Sequence, residues 1–296
     1  MFKPGKKLSL TFILPVLLVL GVLFGLGGFI INIPDYFDQL STKVTYPSSY
    51  EFKIYDSLLR KYVKNGLVDY RSIKHDPDLE RAYRQIKSID PSKLQGKLEQ
   101  LCFWVNTYNF LTIKCIADLY PIERLRQESA LKHFMVGGKL YSLNQIRQEV
   151  FPELIYTSDW RAIFLICSGN ISSPFIADHA YSASRVGDEF EQATKNFVLS
   201  PANYGWDDKQ RIFSISPFYK RNVTFIDRVY ASPFEMVNSM LPAEKKVNLE
   251  DCFRNYAMAY DWRINDTAWL KELDNKSAKS VNSSDSAASA SKKDSQ

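Results

Sequence analysis

Residues 103–109 read Phe103-Trp104-Val105-Asn106-Thr107-Tyr108-Asn109, inside a longer apolar stretch from Leu98 to Ile116. Leu98, Leu101, Cys102, Val105, Asn109, Thr112, Ile113 and Ile116 follow the 3.6-residue period, which predicts one long helix. Phe103, Trp104, Tyr108 and Phe110 make its other faces apolar too. A helix apolar all round belongs in the middle of a domain, so the remaining elements are expected to pack around it. Asn106 and Asn109, three residues apart, share one of its faces. Buried amides must find partners, because each lost hydrogen bond costs about 1 to 3 kcal/mol. Two readings stand: they tie the helix to neighbouring loop backbone, such as the turn at 168–174, or they line a binding site.

On the N-terminal side of this helix, Phe52, Tyr55, Leu58, Leu59 and Tyr62 recur at helical spacing, and Asn65-Gly66 reads as the end of that helix. Leu67 to Tyr70 is a short extended piece. Asp76-Pro77 opens a helix carrying Leu79, Ala82, Tyr83 and Ile86, and Asp90-Pro91-Ser92 opens the next. On the C-terminal side, Gly137-Gly138 between His133–Val136 and Lys139–Tyr141 predicts a two-residue hairpin. Ser142 and Gln145 have capping-box spacing for a helix through Phe151. Ala162 to Cys167 is a continuous apolar run of strand length, expected to be buried. Phe190, Ala193, Thr194, Phe197 and Val198 form an amphipathic helix. A second hairpin is expected around Asp207-Asp208-Lys209, returning along 211–215, with helical patterns at 217–230, 233–240 and 249–260. No internal repeat is visible.

The ends of the chain differ from this middle. From Leu8 to Ile33 there is no charged residue, and roughly 20 apolar residues cross a bilayer core. The segment is expected to be a membrane-spanning signal-anchor; a cleaved signal peptide, whose apolar core runs to about 15 residues, is the competing reading. Lys3, Lys6 and Lys7 precede it and no cation follows before Lys43, which puts residues 1–7 in the cytoplasm and the main domain in the periplasm, lumen or cell exterior. Residues 34–49 read as a juxtamembrane stalk, 50–274 as one globular domain, and 275–296, rich in Ser, Ala, Lys and Asp, as a disordered tail. The expected class is α+β: a helix-rich single domain with a small antiparallel or mixed sheet, preceded by one transmembrane helix. The length of 296 residues suits one domain, and 38 basic against 33 acidic residues, scattered without a stripe, argue against nucleic acid. Five sequons, at Asn170, Asn222, Asn265, Asn275 and Asn282, would carry glycans only in a eukaryotic secretory pathway.

Six blocks carry a resemblance. They are residues 65–70 (Asn-Gly-Leu-Val-Asp-Tyr), the central 103–109 block, 137–143 (Gly-Gly-Lys-Leu-Tyr-Ser-Leu), Asp159-Trp160-Arg161, 214–219 (Ser-Ile-Ser-Pro-Phe-Tyr) and Tyr260-Asp261-Trp262. In this order they resemble the domain of unknown function 547 family over about residues 50–262. The resemblance implies a fold and the position of a site more than an activity. It also implies a set of polar residues that this chain lacks. The family's Ile-Glu-His after the Gly-Gly hairpin is Ile146-Arg147-Gln148 here, its strand histidine is Ile163, and the positions of its two cysteines hold Ser168 and Ser173.

A thiolate nucleophile needs a base or cation to depress its pKa, and a metal site needs several converging ligands. Neither set is present in the sequence, so no cofactor or metal is expected. Cys167 lies one residue before the family's first cysteine, an offset that turns a strand side chain to the opposite face. It reads as a buried apolar residue, or as a nucleophile if a bulge at Ser168-Gly169 restores its direction. Ser168 and Ser173 read as turn hydroxyls or as replacement nucleophiles. Asn106, Asn109, Gln148, Asp159 and Arg161 are the candidate binding residues. His75, His133 and His179 lack the spacing of metal ligands. The functional expectation is a membrane-anchored binding or scaffolding module, a pseudoenzyme with an unidentified protein or small-molecule partner. The alternative is a hydrolase or transferase with a remodelled site using Ser168, Ser173 or Cys167.

Overall fold

The computed structural model describes residues 50–126 and 132–270. Helix α1 (Lys53–Tyr62) buries Tyr55, Leu58 and Leu59 and runs directly into β1 (Val63–Lys64), which pairs antiparallel with β2 (Leu67–Val68). Asn65 and Gly66 have φ of 52° and 77°. They form the two-residue hairpin turn that Asn-Gly favours, not the helix end expected from the sequence. Aspartates then start two helices: Asp69 accepts from the Ser72 N–H at α2 (Tyr70–Ile73), and Asp76 from the Asp78 N–H at α3 (Pro77–Ser88).

Helix α4 (Lys97–Leu119) is the centre of the domain, and every residue from Leu101 to Ala117 is buried. It packs against α2 and α5, and the buried side chains form one continuous cluster around it. Truncating a ring such as Phe110, which is wholly inaccessible, costs about 3 to 5 kcal/mol. The β3–β4 hairpin (His133–Val136, Lys139–Ser142) turns through Gly137 and Gly138 at φ 56° and 75°. Both hydrogen bonds of the Ser142–Gln145 capping box are made. The chain then widens into a π-helical turn over Ile146–Val150 before α5 (Phe151–Thr157). Pro152, whose ring crowds the carbonyl one turn back, follows that widening.

The run at 162–167 is not a strand. Trp160–Leu165 is a 3-10 helix whose N-cap, Asp159, accepts from the Arg161 N–H, and the backbone becomes extended only at Ile166. A short apolar run does not distinguish a buried strand from a buried helical turn, and here the aspartate cap decides. Beyond it, α6 (Val186–Val198) packs on the 3-10 helix, and β5 (Tyr204–Asp207) pairs antiparallel with β6 (Ile212–Ile215). The expected helix at 217–230 is two short ones, α7 (Pro217–Arg221) and α8 (Val223–Ile226), while α9 (Pro233–Met240) falls as expected. The expected helix at 249–260 is absent. A 3-10 turn at Leu249–Asp251 leads instead into β7 (Phe253–Asn255), which adds parallel to β6. Phe253 is 75% exposed, while Leu249, Cys252, Tyr256 and Tyr260 pack half-buried on the core from the turn and from the chain on either side of the strand, so the apolar spacing is met without a helix.

Among the described residues the fold is therefore α+β, with two antiparallel hairpins and one mixed three-stranded sheet. The transmembrane helix included in the expected class is corrected: among the described residues no helix is long and apolar enough to cross a membrane. The segment proposed for it (8–33), the stalk (34–49) and the tail (275–296) lie outside the described residues.

Candidate functional site

The site position implied by the resemblance is the turn at 168–174, which follows the 3-10 helix. The segments flanking this turn are fixed to α4 by the two buried asparagines. Asn109 Nδ2 donates to the Leu165 carbonyl at 2.9 Å while its Oδ1 accepts from the Cys167 N–H at 2.9 Å. Asn106 holds Tyr181 in the same two-handed way, at 2.8 and 2.9 Å. Each amide thus replaces a missing strand neighbour for a buried segment, and neither is left over for a ligand. Gly169 (φ 72°) closes the gap: a Cβ there would stand 2.6 Å from Ile116 Cδ1 and 2.8 Å from Thr112 Cγ2. The space between α4 and the turn is filled.

Cys167 sits inside this seal. Its Sγ lies 3.5 Å from Ser173 Oγ, accepts from the Gly169 N–H at 3.4 Å and faces Asn265 Nδ2 at 3.7 Å. Burial raises its pKa, against the smaller opposing pull of the Ser173 and Gly169 contacts. A buried thiol without a cation or base stays protonated and unreactive. Ser173 is equally committed, donating to the Asn170 carbonyl at 2.7 Å. Ser168 is half-buried and accepts from Arg147 Nη1 at 2.8 Å. No histidine hydrogen-bonds to Ser168, Ser173 or Cys167 among the described residues, and no three His, Cys, Asp or Glu side chains there gather as a metal site would require. Burial also raises the pKa values of the α4 thiols, Cys102 to about 12 and Cys115 to about 11.

The opposite side of the same turn borders an open cleft of about 860 Å³. Val63 and Leu67 of the first hairpin, Phe175 and Ile176 after the turn, and Phe164 and Phe197 supply its apolar walls. Gln192 and Asn196 on α6, with Asn203, add amide groups, and Ser173 reaches its lining. Phe175 is 57% exposed and lies across Gly66, where a Cβ would come within 2.7 Å of its ring. At one edge His179 is held between Asp178 (Nδ1, 2.8 Å) and Glu189 (Nε2, 2.9 Å).

The residues proposed from sequence do not converge. Asp159 caps the 3-10 helix and grips Arg161 with both oxygens, the shortest contact being 2.6 Å. This pair lines a separate cleft of about 690 Å³ with Trp160, Arg228 and Tyr230. Gln148 is exposed on the π-helical turn. Three of the sequons, Asn170, Asn222 and Asn265, have buried side chains unsuited to carrying a glycan. The cleft residues Phe175, Gln192, Asn196 and Asn203 were not visible in the sequence, because four distant segments build that cleft.

Comparison with known proteins gives one match. The family model described as "Protein of unknown function, DUF547" matches residues 91–198, which run from the start of the segment leading into α4 to the end of α6. The match contains the central helix, the Gly-Gly hairpin and the 168–174 turn, and is shorter than the 50–262 span of the resemblance. No curated protein and no solved structure matches.

Proposed function

We propose, taking the DUF547 match over residues 91–198 as the premise, that this domain is a binding module whose reactive position has become structural. The observation that carries this reading is the fate of the turn at 168–174. Every nucleophilic atom on it is engaged or buried, while its outer side borders an open, mostly apolar cleft. A volume of about 860 Å³ falls in the range of small-molecule sites, roughly 300 to 1,000 Å³. The lining suits a ligand with an apolar body and a hydrogen-bonding edge facing Gln192, Asn196 and Asn203. The competing hydrolase reading needs a base beside Ser168, Ser173 or Cys167. Arg147, the one charged side chain among the described residues that hydrogen-bonds to any of them, is a cation that donates and cannot accept a proton.

The test has two arms on the full chain. A fluorophosphonate and iodoacetamide, followed by peptide mass analysis, are expected to leave Ser168, Ser173 and Cys167 unmodified in the folded protein. The neutral dye N-phenyl-1-naphthylamine is expected to bind saturably, and the substitution Ala193→Trp, on the cleft wall, to remove that binding with the circular dichroism unchanged. Stoichiometric labelling of either serine, abolished by its alanine replacement, overturns the binding-module reading in favour of catalysis.

A further inference from the structure

Helix α6 borders two clefts of opposite charge. The smaller, about 690 Å³, collects three cations, Arg161, Lys195 and Arg228, against Asp159 and Glu191. The larger, about 860 Å³, has no Lys or Arg on its lining among the described residues, in a chain that carries 38 of them. Its acidic and basic side chains are Asp178, His179 and Glu189. Two carboxylates face one imidazole, so this lining is net negative whether or not the ring is protonated.

Two acceptors on residues of this lining lack a donor among the described residues. Glu189 spends Oε1 on His179 Nε2 at 2.9 Å, and its Oε2 is buried with no hydrogen bond. Asn170, 9% exposed, likewise leaves Oδ1 buried and unpaired. Both residues border the cleft, and both lack the same thing, an N–H or O–H donor. The arginines near this edge do not supply it: Arg60 is held by Asp56 at 2.8 Å, and Arg185 donates to Ser182 Oγ at 3.2 Å and to the Ala180 carbonyl at 3.3 Å. A carboxylate oxygen buried without a donor keeps its desolvation cost, which an ammonium offsets with a charge-assisted hydrogen bond. The exposed ring of Phe175, with Phe164 and Phe197, gives the rest of the same ligand an apolar wall that also attracts cations.

We propose that the ligand of this cleft is an organic cation, an amine on an apolar body, with its ammonium at the Glu189 edge. The proposal rests on the binding-module reading and deepens it, because it names the charge that the ligand carries. A carboxylate on the same body would meet Asp178 and Glu189 as a like charge. An alcohol could donate to Glu189 but would leave its charge uncompensated.

The experiment is calorimetric titration of the full chain, near neutral pH, with octylamine, octanol and octanoate below their micellar concentrations. The three share one apolar body and differ in the charge of the head. Octylamine is expected to bind about tenfold tighter than octanol, the worth of one charge-assisted contact, and octanoate to bind weakest. Glu189→Gln keeps the acceptor for His179 and should bring octylamine down to the octanol level, with circular dichroism checking the fold. Asn196→Lys, at an exposed position on the same wall, should weaken octylamine several-fold, and it decides the question if the first variant does not fold. Glu191→Gln, on α6 but lining the other cleft, is the control and should leave the preference in place. Octylamine bound no tighter than octanol, or a preference that survives these two cleft substitutions, overturns the proposal. If the neutral dye then still binds and Ala193→Trp still removes it, the binding-module reading survives that result. Absence of binding by the dye and by all three octyl probes overturns both.

Discussion

The turn at 168–174 has two sides built from opposite materials. Toward α4, the turn is held by fixed contacts: Asn109 spans Leu165 and Cys167, Gly169 presses on Ile116, and Cys167 is sealed. Toward solvent, an exposed phenylalanine and the amides of Gln192 and Asn196, hydrogen-bonded to each other at 2.7 Å, border an open cleft. The same six or seven residues thus serve as a wall on one side and as a rim on the other. The comparison separates what the domain needs to fold from what it presents to a ligand, and it predicts very different responses to substitution on the two sides.

The largest effect is expected at Asn109. Replacing it by leucine keeps the volume but leaves the Leu165 carbonyl and the Cys167 N–H without that partner in a buried site. Each orphaned buried group costs about 1 to 3 kcal/mol, so Asn109→Leu should lower the unfolding free energy by about 4 kcal/mol in a urea titration. A loss under about 1 kcal/mol would mean that the two sides are not distinct in the way described.

The glycines sharpen the contrast, because Gly169 and Gly66 share nearly the same backbone, with φ of 72° and 77°. The intrinsic penalty for an alanine is therefore similar, about 1 to 2 kcal/mol. Their neighbours differ. At Gly169 the added methyl meets Ile116 and Thr112 of a helix buried on every side, which cannot retreat. At Gly66 it meets Phe175 at Cβ as well as on the ring, so this exposed residue must shift outward as a whole for the methyl to fit. Gly169→Ala should cost about 3 kcal/mol and Gly66→Ala about 1 to 2 kcal/mol, measured as paired melting curves. Equal losses would show that the outer side is packed as tightly as the inner one.

How much of this could be read from the residues follows the same division. The centre was legible, because a helix apolar on all faces has nowhere else to go, and the Gly137-Gly138 and Ser142–Gln145 signals are local chemistry. Asn65-Gly66 was misjudged: the pair ends helices and turns hairpins alike, and only pairing of Val63 with Val68 distinguishes them. The run at 162–167 was misjudged because its backbone partners are not strands but the side chain of Asn109. Of the two readings open for the asparagine pair, the structure shows the tie to backbone, which falls on 165–167 and 181, outside the turn expected. Of the candidate site, the cleft was not legible: it is built from segments as far apart as Val63 and Phe164, and no periodicity in one segment reports a neighbour in another.

The smallest expected effect lies at Phe175, and it bears most directly on function. Its ring is more than half exposed and rests on a turn, so its removal gives up little buried area. Phe175→Ala should change the unfolding free energy by only about 0.5 kcal/mol, the scale of surface substitutions. Yet the same ring walls one end of the cleft, and a neutral apolar dye bound there should lose several-fold in affinity, read by fluorescence titration. A residue that contributes to binding and scarcely to stability is the behaviour the outer side requires, and the reverse of what Asn109 should show. A costly Phe175→Ala with unaltered dye binding would make this side a second structural wall.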